Sequence, residues 1–176
     1  MELPTRKANR LPDYDYSTAN AYFITICAND RKNLFWQPVG ATSGRPQLSV
    51  CGRIIRQNIQ LISRHYPAVT VDHYVIMPDH IHLLLQIHAD GGRPMTAPTS
   101  AETGGRSMIA PTVSRIIKQF KGIVTKQIGR SIWQKGFYDH IIRDENDYFT
   151  KRQYIEENIA KLAEQRNWDQ FISWDE

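Results

Sequence analysis

A chain of 176 residues and 20.4 kDa, 41% hydrophobic and 10% aromatic, carries enough apolar material for one buried core and too little length for two comfortable ones. No apolar run approaches the ~20 residues of a membrane span, and the basic N-terminus MELPTRKANRLPDYDY lacks the apolar stretch of a secretory signal, so a soluble cytoplasmic protein with no membrane partner is expected. The net charge of +4 permits a polyanionic partner without demanding one, and two cysteines in separate elements, Cys27 and Cys51, argue against a disulfide scaffold or a zinc ribbon.

Residues 1–20 carry Arg6, Lys7 and Arg10 among prolines and tyrosines with neither helical nor strand period, which reads as an extended arm. Tyr22–Cys27, YFITIC, is β-branched and aromatic and predicts a first strand, followed by a polar turn at Asn29–Asn33 and an irregular stretch to Pro46. From Leu48 to about Arg64, Ile54, Ile55, Ile59 and Ile62 recur at helical spacing, and the helix must stop before Tyr66-Pro67. Val69–Met77 and His80–Ile87 read as two strands joined by a turn at Pro78-Asp79. The unbroken Leu83-Leu84-Leu85 suits a central strand covered on both faces.

Between residues 89 and 112 the composition turns to Gly, Pro, Thr and Ser, and two nearly identical nonapeptides occur, GGRPMTAPT at Gly91–Thr99 and GGRSMIAPT at Gly104–Thr112. Two copies of so polar a unit cannot bury a core, so a flexible insertion is expected there, not a solenoid. A second helix from Val113 to Ile128 has an apolar stripe at Val113, Ile116, Ile117, Phe120 and Val124, with Arg115, Lys118, Lys121 and Lys126 on its other side and no acidic residue. That basic side is either a solvated face or a surface for phosphates. Ile132–Gln134 and Phe137–Arg143 read as a hairpin or a bent strand. A last helix begins near Asp144–Asp147 and runs to about Ala163, with an aromatic tail at Trp168, Phe171 and Trp174.

The order β-α-β-β-α-β, with one further helix, predicts an α+β fold: a ferredoxin-like antiparallel sheet with helices on one face plus a C-terminal helix, all in a single domain spanning 1–176. Two constellations carry chemistry. His80 and His82 are separated by Ile81, so on a strand both imidazoles leave one face and can converge on a single ion, although two partly exposed strand histidines would show the same spacing. On the last helix Tyr154 lies off the apolar stripe, with Asn158 one turn further along the same face. Asp79 is either a turn former or an orienter of the histidines, and His140 either lies near the same ion or is an ordinary hydrogen-bonded strand histidine.

Taken together, VIMPDHIHLLL, SRIIKQFKGIVT, IWQKGFYDHIIRDENDY and YIEEN, in that order after DYSTANAYFITIC, resemble over most of the chain the single-tyrosine HUH transposases of insertion sequences, and in particular the REP-associated tyrosine transposases. The resemblance implies a metal-dependent single-stranded DNA endonuclease and strand transferase acting at DNA hairpins through a 5′-phosphotyrosine intermediate. Tyr154 would be its nucleophile, His80, His82 and Asn158 its metal ligands, and Mg²⁺ or Mn²⁺ its ion. By their places on the helix, Lys151, about one turn before Tyr154, or Lys161, about two turns after it, either assists the phenol or is simply solvated. Arg6, Lys7, Arg10, Arg115, Lys118, Lys121 and Lys126 would grip single-stranded or hairpin DNA, with the protein a homodimer or a monomer. The duplicated nonapeptides and Ile159, which stands where a proline is expected after YIEEN, depart from the family pattern. Two other classes remain: a non-catalytic nucleic-acid binder on the same scaffold, and a small-molecule metalloenzyme that would leave Tyr154 and Asn158 without a role.

Overall fold

The alternation of side chains along YFITIC already divides the molecule into two layers. Tyr22, Ile24 and Ile26 leave one side of the first strand, and Phe23 and Thr25 leave the other. In the computed structural model, which describes residues 14–37, 47–89 and 111–164, this strand is β1, Ala21–Cys27. It pairs antiparallel with β3, His80–Ile87, and with β4, Tyr138–Ile141, while β2, Val69–Ile76, flanks β3. The resulting order β2-β3-β1-β4 is the ferredoxin-like sheet, antiparallel throughout, and β3 lies inside it as its continuous apolar run required.

Helices α1, Val50–Gln60, α2, Ile62–His65, and α3, Val113–Ile128, cover one face. Their buried Ile55, Ile59, Ile116, Ile117, Phe120 and Val124 meet Tyr22, Ile24, Ile26, Ile81, Leu83 and Leu85 in the main core. The predicted first helix is therefore real but broken at Leu61, and α1 is capped by Ser49, whose hydroxyl accepts from the Gly52 N–H. The first turn of α1 presses so closely on the carbonyl of Phe35 that a side chain at Gly52 would overlap it. Thr112 caps α3 in the same way through the Arg115 N–H, and Gly129, at φ 79°, ends it in the left-handed conformation that suits glycine.

The other face of the sheet carries a smaller cluster, Ala21, Val75, Leu84 and Ile142 with Phe23 and Met77, and it is covered by α4, Glu145–Glu164, through Ile155 and Tyr148. Asp144 caps this helix at the N–H of Asp147. A bulge between Val71 and His73 turns Asp72 outward, where it accepts from the Tyr148 hydroxyl at 3.1 Å and ties β2 to α4. Of the two expectations for 132–143, the bent strand is correct and the hairpin is not. Trp133 bridges to Ala28, Tyr138 pairs with Thr25 further back along β1, and Gly136 at φ 82° takes up the slack between them. Arg6, Lys7, Arg10, the tail aromatics and nearly all of the duplicated segment lie outside the described residues. Among the described residues no helix is long and apolar enough to cross a membrane.

Candidate active site

Because β3 begins directly after the Pro78-Asp79 turn, which is closed by the Met77 N–H on the His80 carbonyl, its first side chain projects beneath α4, on the sheet face opposite α1 and α3. His82 follows on the same face. Their Nε2 atoms stand 3.1 Å apart. Each ring is held from behind: Nδ1 of His80 donates to Oδ1 of Asp79 at 2.6 Å, and Nδ1 of His82 bonds to the Thr25 hydroxyl at 2.8 Å across the β1–β3 ladder. These bonds place the Nδ1 hydrogen of His80 on the carboxylate and free its Nε2 lone pair for the gap between the rings. His82 is only 5% exposed. Burial first, then the neighbouring His80 and Arg31, push its pKa down to about 3 against the opposing pull of Asp79, so the ring is neutral at ordinary pH.

Two imidazole nitrogens so close cannot both aim lone pairs at the gap unless something positive lies between them, a proton or a metal ion. Adjacent positions of an octahedron with ~2.1 Å bonds put nitrogens about 3.0 Å apart, and a tetrahedral ion would separate them by about 3.4 Å. The 3.1 Å spacing is compatible with both nitrogens on one ion and equally with one proton shared between them. Among the described residues no group of three or more His, Cys, Asp and Glu is placed to hold a metal.

From the helix side, Tyr154 reaches the same place. Its ring meets the His82 ring edge-on at 5.3 Å and 75°, and meets Phe23 at 5.9 Å and 80°, while 45% of the residue stays exposed. Phe23 is stacked on His82 at 5.1 Å, so one aromatic ring supports both the imidazole and the phenol. The Lys151 ammonium lies over the other part of that support, 5.5 Å from the Phe23 centroid. Asn158, one turn beyond Tyr154, spends its Nδ2 on the Tyr154 carbonyl at 2.7 Å, which leaves Oδ1 as the atom able to ligate. All of these groups belong to one chain.

The remaining predicted residues separate. Asp79 is both the turn residue and the partner of His80, so its two readings coincide. His140 shares the face but is engaged elsewhere: its Nε2 lies 2.8 and 3.0 Å from the two carboxylate oxygens of Asp147, clasping β4 to the start of α4. Arg115, Lys118 and Lys126 are exposed on α3, behind the sheet as seen from the histidines. Lys121 is turned inward, and its ammonium donates to the carbonyls of Gln134 and Gly136 at 2.7 and 2.8 Å. Burial lowers its pKa. It ties α3 to the bent strand. The basic surface is nonetheless wider than α3, since no Asp or Glu occurs from Gln47 to Val71 or from Pro111 to Tyr138, and α1 and α2 add Arg53, Arg56 and Arg64 to it, all exposed.

Three contributors escaped the sequence reading: Phe23, Thr25 and Arg31, whose Nε lies 2.9 Å from Oδ2 of Asp79. The available signal was Thr25, the one aliphatic hydroxyl of the strand and on the face away from Tyr22 and Ile24.

No protein-family model matches the chain. Over 160 residues it is 31% identical to an uncharacterised protein of Haemophilus influenzae, an alignment that covers 87% of each. A second protein of that organism, named as a REP-associated tyrosine transposase, is 27% identical over 147 residues, 84% of this chain and 74% of that one. A solved REP-associated tyrosine transposase bound to a REP hairpin matches 90% of this chain and 75% of its own, with a TM-score of 0.59 at 20% identity, a likeness of fold.

Proposed function

The chain belongs to the single-tyrosine transposase family, and from that footing we propose that it is a metal-dependent endonuclease and strand transferase acting on single-stranded DNA beside a hairpin. The observation that carries the proposal is the contact of the Tyr154 ring with His82, between residues 72 positions apart in one chain. A phenol held half-exposed against the buried His82 and its partly buried neighbour His80 has little use in a core and a direct one in phosphoryl transfer.

His80, His82 and Oδ1 of Asn158 would hold a divalent ion, Mg²⁺ or Mn²⁺, which when bound polarises the scissile phosphodiester and offsets the charge that develops on it. Tyr154 attacks phosphorus in line. Its Oη–P bond forms as the P–O3′ bond breaks, the phenol gives up its proton, and the departing 3′ oxygen takes one. The 5′ side remains on the protein as a phosphotyrosine, so the strand can be rejoined by the reverse transfer without a nucleotide cofactor. Lys151, over the same Phe23 that supports the phenol, would stabilise the phenolate. Since phenol and imidazoles come from one chain, a monomer suffices for this chemistry.

The acid-free layer of α1, α2 and α3 suits the phosphates of a hairpin stem. That layer lies behind the sheet, so the single strand leaving the stem must round an edge to reach Tyr154. The β4 edge is the suitable one. Lys121 ties α3 to its approach, and Tyr138, 53% exposed, stands in the register row Tyr138, Thr25, His82 with a ring on which a base can stack.

The test is incubation of the protein with a labelled hairpin oligonucleotide carrying a single-stranded flank, in Mn²⁺, followed by denaturing electrophoresis. A covalent protein–DNA band is expected for the wild type and none for Tyr154→Phe, with hairpin binding equal for both. Binding without a band for any flank would favour a non-catalytic hairpin binder and defeat the proposal.

A further inference from the structure

Asp30 and Arg31 both adopt φ 53°, a left-handed conformation that side-chain-bearing residues rarely take and almost never in succession. Such backbone persists where its surroundings over-determine it. Here they do: the Asn29 N–H donates to Ile132 C=O at 2.8 Å, the Arg31 N–H to Ala28 C=O at 3.1 Å, and the Lys32 N–H to Asn29 C=O at 3.2 Å. The effect is to fold the chain back at the end of β1, so that the Arg31 side chain returns over the strand it has just left. Nη1 of Arg31 meets Sγ of Cys27 and Nε meets Oδ2 of Asp79, both at 2.9 Å.

The second contact matters for the site. Asp79 has two oxygens and each is assigned: Oδ2 to the guanidinium and Oδ1 to Nδ1 of His80. The main chain locks the same turn, with the Ala28 N–H on Asp79 C=O at 2.8 Å and the Phe35 N–H on Pro78 C=O at 3.0 Å. A carboxylate beside an imidazole can rotate about its terminal bond or let the ring choose its other nitrogen. One pinned at its second oxygen by a planar guanidinium can do neither.

We propose that Arg31 is a positioning residue of the active site: through Asp79 it fixes His80 in the tautomer that carries its hydrogen on Nδ1 and aims the Nε2 lone pair at the gap shared with His82. This inference rests on the metal-binding reading of His80 and His82, and it adds a residue that acts on them through Asp79. Arg31 is half-exposed, and its anchor at Cys27 makes lysine an inadequate substitute, since a single ammonium cannot hold the sulfur and the carboxylate in the same geometry.

The experiment has a metal-free arm and a metal-binding arm, both on the full chain. Imidazole ¹⁵N shifts of the apo protein should show His80 as a single tautomer hydrogenated at Nδ1 in the wild type, and as a mixture in Arg31→Ala and Arg31→Lys. Titration with Mn²⁺ alone should give about tenfold weaker binding for Arg31→Ala, about the same loss for Asp79→Asn, and no further loss in the double variant, because the two act through one bond chain. A wild-type tautomer in Arg31→Ala, or losses that add in the double variant, would overturn the role of Arg31. Should His80→Ala also leave Mn²⁺ binding unchanged, the metal-binding reading itself fails, and that result is distinct from the other two. Hairpin affinity and the urea midpoint of Arg31→Ala serve as folding controls. If that variant is unfolded, Arg31→Lys decides by the same two readouts.

Discussion

Replacing Thr25 with valine removes one oxygen from the site and almost nothing else. Valine keeps the β-branched shape that the strand favours, and the position pairs with His82 on one side and Tyr138 on the other, so the ladder has no reason to move. What is lost is the 2.8 Å bond to Nδ1 of a histidine that is 5% exposed. Stranding a buried ring nitrogen costs about 1–3 kcal/mol of folding free energy. Losing the partner that orients a metal-bound imidazole weakens metal affinity about 10–100-fold, equivalent to about 1.4–2.8 kcal/mol. Urea unfolding of the metal-free protein and calorimetric titration with Mn²⁺ measure the two losses separately, and Thr25→Ser, which keeps the hydroxyl, should recover most of both. Mn²⁺ affinity within twofold of wild type in Thr25→Val, with an unmoved urea midpoint, would refute the claim that β1 sets the orientation of His82.

The depressed pKa of His82 makes a signed prediction for the metal-free protein: the unfolded chain takes up a proton near pH 6.5 and the folded one does not until about pH 3, so this group costs nothing above pH 6.5 and erodes stability as pH falls through that interval. Its share of the slope is at most about 1.4 kcal/mol per pH unit, and it should be absent from His82→Asn, so that it remains as the difference between wild type and that variant in urea melts taken from pH 7 to pH 4. Lys118→Ala and Lys121→Ala should part company. The first should weaken hairpin binding and lower the salt slope by about one, while the second should mainly lower stability, by about 1–3 kcal/mol, because two carbonyls lose their donor. Gly52→Ala should destabilise the protein by about 2–4 kcal/mol in urea melts, since the added methyl meets the backbone oxygen of Phe35, which cannot step aside as a side chain would.

The elements were legible because each rests on a local period. Val113–Ile128 and His80–Ile87 form over the residues that their apolar patterns marked. The break at Leu61 was not visible, because Ile59 and Ile62 continue the helical stripe across it and both are buried in the same core. The choice between hairpin and bent strand for 132–143 could not be made either. It depends on which partner the two pieces find, and both find β1, a strand more than a hundred positions earlier.

The site divides along the same line between local and distant information. That His80 and His82 share a face follows from a one-residue spacing, and that Tyr154 leaves the apolar stripe of its helix follows from 3.6-residue geometry. Neither pattern says that these two faces meet. The meeting is fixed by apolar and polar ties between distant residues, Ile155 among Leu84 and Val75 and Tyr148 on Asp72, and neither of these has a local signature. Arg31 was the least visible of all. In sequence it is one basic residue in a polar turn, indistinguishable from its neighbour Lys32, whose ammonium pairs with exposed Asp30. The difference is backbone geometry, two consecutive residues at positive φ, and composition does not encode which of two adjacent cations a strained turn will swing toward a carboxylate 48 positions away.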